Sequence, residues 1–200
     1  MNTKRQHFNE LAERWDSLPA PDHATAKARE FVRRIAPADC DWILDVGCGT
    51  GILLPHLLEF CSPGTRILEL DYSEAMLREN ARKSTEPRVS RLCADARHLP
   101  FRAEAFDLAL CFGVLPHFED LPATLAELLR VLRPSGTLAV GHAMGSRELN
   151  TLHGSLGGPT AGDTLPTAVS LAEALRALNA KIVTAEEQPD WYLVQATKSE

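Results

Sequence analysis

The residues whose types and spacing are most readily turned to chemistry form one run, Ile43-Leu44-Asp45-Val46-Gly47-Cys48-Gly49-Thr50-Gly51. An apolar strand pattern ends in an acid and passes through alternating glycines into a helical pattern. Glycines let a backbone turn tightly and approach a ligand, and a helix start offers free amides to a carboxylate or phosphate. Asp45 narrows the choice, because a carboxylate at that strand end repels a pyrophosphate and suits a ligand carrying an ammonium group. A dinucleotide fingerprint would also need a third glycine at position 52, where Ile52 stands. Both features argue against a nicotinamide-dependent oxidoreductase.

A second acid, Asp71, closes the run Leu68-Glu69-Leu70 about twenty residues after the last loop glycine. A carboxylate there can accept two hydrogen bonds from a ribose diol, as any adenosine ligand requires, so Asp71 alone does not separate the cofactor classes. Tyr72 and Met76 follow it and either pack on an adenine or belong to the core. Three histidines stand where a general base would be useful. His117 follows the fourth strand, His142 ends the fifth, and His153 lies in a long loop between the fifth and sixth. Near neutral pH an imidazole is the usual proton acceptor.

The elements that must position these residues alternate, short β-rich runs with longer helical ones, which is the pattern of crossover helices covering a parallel sheet. Strands are expected over Trp42–Val46, Arg66–Leu70, Val89–Ala94, Phe106–Phe112, Thr137–His142, Lys181–Ala185 and Trp191–Ala196. Helical pattern covers Ile52–Phe60, Ser73–Lys83, Leu121–Leu132 and Thr167–Leu178. Ser73 can cap its helix through its hydroxyl, and Pro134 with Gly136 stops the Leu-rich helix. Only Glu186 to Asp190 separate the last two strands, too few residues for a crossover, so these two form an antiparallel edge hairpin on an otherwise parallel seven-stranded sheet. Before the first strand, Lys4–Trp15 and Asp22–Ile35 read as two helices divided by Pro19 and Pro21, placed to cap the open end of the sheet. The stretch from 141 to 166 is rich in Gly, Pro, Ser and Thr, with a short helix around Arg147–His153. A loop this long is usually functional. One domain over residues 1–200 follows, with a helical cap at 1–38 and a substrate loop at 143–166.

Composition sets limits on the partner. The 200 residues are 44% hydrophobic and 24% charged, as in an ordinary globular α/β domain. A net charge of -6 lacks the positive field that nucleic-acid binding needs. No apolar stretch is long enough to cross a bilayer, and the charged opening segment is no signal sequence. The five cysteines, Cys40, Cys48, Cys61, Cys93 and Cys111, form no CxxC pair and read as buried, reduced thiols rather than a metal site. A cytoplasmic protein with a small-molecule partner is expected.

Several further runs join the first. The strand LDVGCGTG ends at Gly51, and Asp71 is followed by Ser73 and the pair Met76-Leu77. Asp95-Ala96, Leu99-Pro100-Phe101 and Phe106-Asp107 come next, and then Leu128 to Leu138. Together they resemble the class I S-adenosylmethionine-dependent methyltransferases, specifically the small-molecule branch that includes the quinone C-methyltransferases (type 11), over roughly residues 40 to 145. The resemblance implies a Rossmann-like methyltransferase fold and S-adenosylmethionine as cofactor. It implies that Asp45, Gly47, Cys48, Gly49, Thr50 and Gly51 hold the methionine part, with Asp45 orienting the amino group. By the same likeness Asp95 accepts the adenine amino group, Ala96 and Leu99 lie near the ring, and Asp71, Tyr72, Met76 and Cys111 complete the cofactor site. His7-Phe8-Asn9 and Trp15-Asp16 resemble the start of quinone-type enzymes, where such a helix lies over the cofactor. After the fourth strand, where the family commonly has Leu-His-His, Pro116 replaces the first His. Neither the Asn/Asp-Pro-Pro-aromatic run of amino-directed DNA methylases nor the Pro-Cys nucleophile of cytosine C5 methylases is present.

Methyl transfer from a positively charged sulfur is an in-line displacement, in which alignment and exclusion of water are the protein's main contribution. No covalent nucleophile on the enzyme is required. A hydroxyl, phenol or carbon-acid acceptor would gain from a base, with His117 and then His142 as candidates. A binding module that keeps the cofactor pocket without catalysis is the rival reading.

Overall fold

All seven runs expected as strands pair in one sheet of the computed structural model, which describes residues 3–18, 23–35 and 39–199. They are β1 (Trp42–Val46), β2 (Arg66–Asp71), β3 (Val89–Cys93), β4 (Phe106–Phe112), β5 (Leu132–His142), β6 (Ala180–Gln188) and β7 (Trp191–Lys198). Their order is β3-β2-β1-β4-β5-β7-β6. The first five strands are parallel, and β7 runs antiparallel to both β5 and β6. The hairpin is therefore inserted so that β6 forms the outer edge. The chain goes left from β1 to β2 and right to β4, and the reversal opens a crevice beyond the carboxyl ends of these strands, where such sheets bind ligands.

One expected boundary moves. Thr137 was expected to begin the fifth strand after a Pro-Gly turn, but pairing with Phe106 already starts at Leu132, and the register slips before Leu108 meets Thr137. Pro134 to Gly136 form a bulge inside the strand, because a proline lacks the amide that a continuous ladder needs.

Alternation along the strands sorts the interior. Leu44, Val46, Leu68, Leu70, Ala109, Leu138 and Val140 face one side and pack with helices α5 (Leu121–Val131), α6 (Ser146–Ser155) and α7 (Ala168–Ala177). Ile43, Ile67, Leu108, Leu110 and Ala139 face the other, where α2 (Ala24–Ile35) and α3 (Leu54–Phe60) cover them. On that second face, α4 (Glu74–Lys83) brings Asn80 down onto Glu69. Ser73 caps α4 as expected, its hydroxyl accepting the amide of Met76 at 3.2 Å, a bond that contributes about 1 kcal/mol. Thr167 does the same for α7 through the amide of Ser170.

The two N-terminal helices part company. α1 (Thr3–Leu11) and the 3-10 turn Ala12–Ser17 lie over the carboxyl ends of the strands, with Phe8 and Ala12 packed on Met76 and Ala75. α2 does not cap this end. Its strongly amphipathic sequence buries Ala28, Phe31 and Val32 in the core of the opposite sheet face. Pro19, Pro21 and Asp22, expected as the punctuation between these helices, lie outside the described residues. Of the cysteines, Cys48, Cys61 and Cys111 are buried, but Cys40 is half-buried and Cys93 is exposed, correcting the expectation that all are interior. Among the described residues no helix is long and apolar enough to cross a membrane.

Candidate active site

The glycine loop turns directly over the end of β2. The amides of Gly47 and Cys48 both donate to the carbonyl of Leu70, at 2.7 and 3.1 Å. Asp71 then ties the two loops together: one carboxylate oxygen accepts the amide of Gly49 at 2.9 Å, the other the amide of Ser73 at 2.7 Å. Burial raises the pKa of this carboxyl and these backbone donors hold it down, with burial the larger effect. Gly47 and Gly49 adopt φ of +69° and +54°, the left-handed region that glycine enters without strain. Their surroundings differ. A Cβ on Gly47 would fall 2.1 Å from Val114 Cγ2, whereas one on Gly49 would meet nothing within 4 Å.

Asp45 has a different neighbour from the one its position implies. It lies directly across from Glu69 in the β1–β2 register, on the same face, and both side chains are buried. Desolvation first, and then the charges of Glu69 and Asp71, drive the Asp45 carboxyl well above the ordinary range. Asp45 Oδ2 and Glu69 Oε1 have no other hydrogen-bond partner, and a proton held by Asp45 satisfies the pair. Glu69 is held from the other side by Asn80 Nδ2 at 2.5 Å, and Asn80 Oδ1 accepts from Arg91 Nε at 2.7 Å. Asp45 thus lies beneath the loop and forms no part of the cavity wall. Cys48 and Gly51 also sit on this underside, against Asn80.

Above the loop opens a cavity of about 780 Å³ including its mouth. Gly47, Gly49, Asp71, Tyr72, Met76, Asp95, Ala96 and His117, all singled out in the sequence, are brought together on its wall. Thr50 is not among them, since its hydroxyl donates to Asp16 Oδ1 at 2.6 Å while Lys83 pairs with the other oxygen at 2.5 Å. That contact pins the 3-10 turn, as Asn9 pins α1 by accepting from the Ser73 hydroxyl at 2.7 Å. Cys111 is wholly buried in the core beneath the wall, where desolvation keeps it a thiol. Leu99 is also buried, and its amide donates to Glu127. Asp95 borders the cavity with its carboxylate engaged by Arg97, whose Nη2 lies 2.7 Å from Oδ2 and whose hydrogen bonds lower the Asp95 pKa. Arg97 also reaches Glu119 at 3.1 Å.

The two candidate bases separate. His117 lines the cavity, and its Nδ1 is 2.7 Å from Asp163 Oδ2; an ionised carboxylate only accepts, so Nδ1 carries the proton and Nε2 is the basic nitrogen. Desolvation lowers the His117 pKa, and the Asp163 carboxylate partly restores it. His142 lies off the wall. Its Nδ1 already accepts the amide of Met144 at 3.1 Å, and desolvation and the neighbouring His117 and His153 press its pKa to about 4, which leaves a poor base. The third histidine, His153, is buried and bonds the carbonyl of Asp163 at 2.9 Å. Among the described residues no group of three or more His, Cys, Asp or Glu side chains is arranged to hold a metal ion.

A family model described as a methyltransferase domain matches residues 44–140, from the middle of β1 to near the end of β5. Residues 44–140 are therefore similar to a methyltransferase domain. Two curated relatives match about half of this chain. The malonyl-[acyl-carrier protein] O-methyltransferase of Hamiltonella defensa is 37% identical over 50% of this chain and 39% of its own length. The ubiquinone/menaquinone biosynthesis C-methyltransferase of Paracoccus denitrificans is 36% identical over 53% and 44%. The chain thus spans less than half the length of these two relatives. Among solved structures, the 1,6-didemethyltoxoflavin-N1-methyltransferase of Burkholderia thailandensis, with 1,6-didemethyltoxoflavin and S-adenosylhomocysteine bound, shares the fold at a TM-score of 0.71. It is 21% identical, and the match covers 98% of this chain and 88% of that one.

Several residues on the cavity wall or directly behind it had no motif to reveal them. Val114 and Glu119 lie in the turn after β4, where only His117 drew notice. Arg97 follows the Asp95-Ala96 run and belongs to no motif. Asp163 comes from the long segment after α6, which has no periodicity. Phe8 and Trp15 carried a signal, the likeness of their runs to the start of quinone-type enzymes, and both reach the wall.

Proposed function

We propose that this chain transfers the methyl group of S-adenosylmethionine to an oxygen, carbon or nitrogen of a small-molecule acceptor by in-line displacement in the cavity under α1. One observation carries the reading: a buried carboxylate, Asp71, clamps the Gly49 and Ser73 amides at the rim of a cavity where two glycines leave unfilled room. A Cβ on either Gly49 or Gly113 would meet nothing within 4 Å, which fits a backbone cradle for a ligand's polar end. The residues present therefore suit the methyl donor. Gly49, in the loop that Gly47 turns against Val114, takes its amino-acid end, and Asp71 its ribose. Asp95 takes the adenine amino group, with Tyr72, Met76 and Ala96 around the ring.

When bound, S-adenosylmethionine supplies an activated methyl on a positively charged sulfur, whose carbon leaves for the acceptor's lone pair while the bonding electrons stay with sulfur. Phe8 and Trp15 close the cavity from above and exclude water, which strengthens every charge interaction inside. For a hydroxyl or carbon-acid acceptor, His117 Nε2 takes the acceptor proton as the new bond forms, a contribution typically worth about 10²–10⁴-fold in rate.

The test has two stages. Thermal shifts with S-adenosylmethionine, S-adenosylhomocysteine and NAD come first; a midpoint raised by the first two is expected, and one raised by NAD alone overturns the reading. Transfer of labelled methyl into the small-molecule fraction of a cell extract, with identification of the product, comes second. Binding without label transfer would replace the enzyme with a non-catalytic binding module.

A further inference from the structure

Asp163 is a heavily engaged acid outside residues 44–140. It is buried, with 6% of its side chain exposed, although it belongs to a segment that is largely exposed from Gly154 to Pro159. Three separate parts of the chain converge on it. His117, after β4, meets its Oδ2 through Nδ1 at 2.7 Å. Lys4, from α1, pairs with its Oδ1. His153, from α6, holds its main-chain carbonyl at 2.9 Å, and its own amide donates to Thr160 at 3.0 Å. Burial raises the Asp163 pKa, yet the bonds from His117 and Lys4 outweigh it, so the acid stays ionised.

A surface acid has no need of three partners. An acid that orients a base does, because an imidazole turned by rotation about its side-chain bonds presents the wrong nitrogen. A carboxylate on Nδ1 selects one tautomer and stabilises the imidazolium that forms when Nε2 accepts a proton. The ring is fenced as well: Phe8 of α1 packs edge-on to His117 at 5.1 Å between centroids, and His153 lies at 5.6 Å. Phe8 and Lys4, four residues apart, share one side of α1. The same helix therefore covers the cavity and grips the acid behind the base.

We propose that Asp163 is the positioning residue for His117, and that its ion pair with Lys4 sets the base in place when helix α1 lies over the cavity. This rests on the reading of His117 as the proton acceptor. The proton moves from the acceptor to Nε2 and then to solvent through the mouth of the cavity; Asp163 itself is never protonated. The other charged or titratable groups near the His117 ring are His153, His142 and the Lys4 ammonium.

The experiment compares His117→Ala, Asp163→Asn and Asp163→Glu in full-length protein. The probe is methyl-labelled S-adenosylmethionine with the small-molecule fraction of a cell extract, and imidazole ¹⁵N spectra of each protein without cofactor accompany it. Asp163→Asn is expected to lose label transfer by about 100-fold, comparable to His117→Ala, with Asp163→Glu recovering part of it. In the spectra, wild-type His117 is expected as the Nδ1–H tautomer. In Asp163→Asn its titration midpoint, and the acid limb of the transfer profile, should both move to lower pH, because an anion that favoured the imidazolium is gone. A role in folding alone would move neither. Unchanged transfer in Asp163→Asn, with transfer lost in His117→Ala, overturns the positioning role and leaves the base. Unchanged transfer in His117→Ala overturns the base and this inference with it. Should Asp163→Asn fail to fold, the wild-type spectrum decides, and an Nε2–H tautomer for His117 overturns the proposal.

Discussion

Alanine at Gly47 and at Gly49, one at a time, separates folding from ligand holding within three residues. Both positions have positive φ, where an L side chain costs roughly 1–2 kcal/mol. At Gly47 the new methyl would also lie 2.1 Å from Val114 Cγ2 and 2.6 Å from Val114 Cβ. Rotating Val114 moves the first atom but not the second, so the backbone must shift, and overpacking of this kind costs about 1–3 kcal/mol. The sum for Gly47→Ala is about 2–5 kcal/mol. Gly49→Ala carries only the backbone part, about 1–2 kcal/mol, since its methyl meets nothing within 4 Å. That methyl stands instead on the cavity wall, where the ligand's polar end must come close. Urea unfolding and calorimetric titration with S-adenosylhomocysteine measure the two effects. We expect Gly47→Ala to lose at least twice the stability of Gly49→Ala, and Gly49→Ala to bind at least tenfold more weakly, about 1.4 kcal/mol. Val114→Ala added to Gly47→Ala removes both Cγ atoms and should recover part of the lost stability. Equal destabilisation by the two single variants, or undiminished binding by Gly49→Ala, would refute the assignment of one glycine to packing and the other to the ligand.

Three further outcomes follow from the same geometry. The folded-state pKa of Asp45 lies well above its ordinary 3.8, so the folded protein holds an extra proton, and stability is lost as pH rises from about 3.8 towards the raised value. Asp45→Asn keeps a neutral donor opposite Glu69 and removes that titration, so its stability should fall less steeply with pH over this window, by up to about 1.4 kcal/mol per unit; pH-dependent urea unfolding with an unchanged slope would contradict the shared proton. Asp107 accepts the amides of Asp41 and Trp42 at 2.9 and 2.8 Å and binds Arg133 at 2.5 Å, at the end of the sheet away from the cavity. Asp107→Ala is therefore expected to cost about 1–3 kcal/mol in denaturation with S-adenosylhomocysteine affinity unmoved, and a large loss of affinity would show the two ends to be coupled. A thiol reagent under native conditions should label Cys93 first and leave Cys48, Cys61 and Cys111 untouched until unfolding, a difference that peptide mapping reads directly.

The sheet was legible because strand, glycine loop and helix punctuate the sequence at short range, and each expected strand lies within an observed one or overlaps nearly all of it. What sequence could not supply was the pairing across strands. Asp45 was read from its place at a strand end, as an anion facing a ligand. The alternation Ile43, Asp45 and Ile67, Glu69 was visible in the sequence, yet only the register sets the two acids opposite each other and makes Asp45 neutral. Pro134 and Gly136 were read as a turn because they break local periodicity; the pairing of Leu132 with Phe106 turns the break into a bulge. His142 occupied a favourable strand end, but its nearest donor, the amide of Met144, belongs to a turn whose shape local residues do not announce. His117 could be nominated from its place after β4. Its partner could not, since Asp163 is 46 residues away in a segment without pattern.

The division between shared and private parts of the cavity explains why the acceptor resists identification from motifs. Gly47, Gly49, Asp71, Asp95 and Ala96 all fall within residues 44–140, the segment that matches the family. Phe8 and Trp15 come from before it, and Asp163 from after it. The two curated relatives named above are an O- and a C-methyltransferase, so similarity of this kind goes with more than one kind of acceptor atom. A methyl donor presents the same groups to every such protein, and a common set of backbone amides and carboxylates can hold it. An acceptor does not, and the parts that meet it must vary. In this chain the part on the cavity wall is the aromatic pair Phe8 and Trp15, while an acid from the far end of the sequence, joined to α1 by Lys4, stands behind His117. Exchanging α1 and the Asp163 segment together, and not either alone, is thus the alteration expected to redirect the proposed methyl transfer to another acceptor while leaving donor affinity within a few-fold of its starting value.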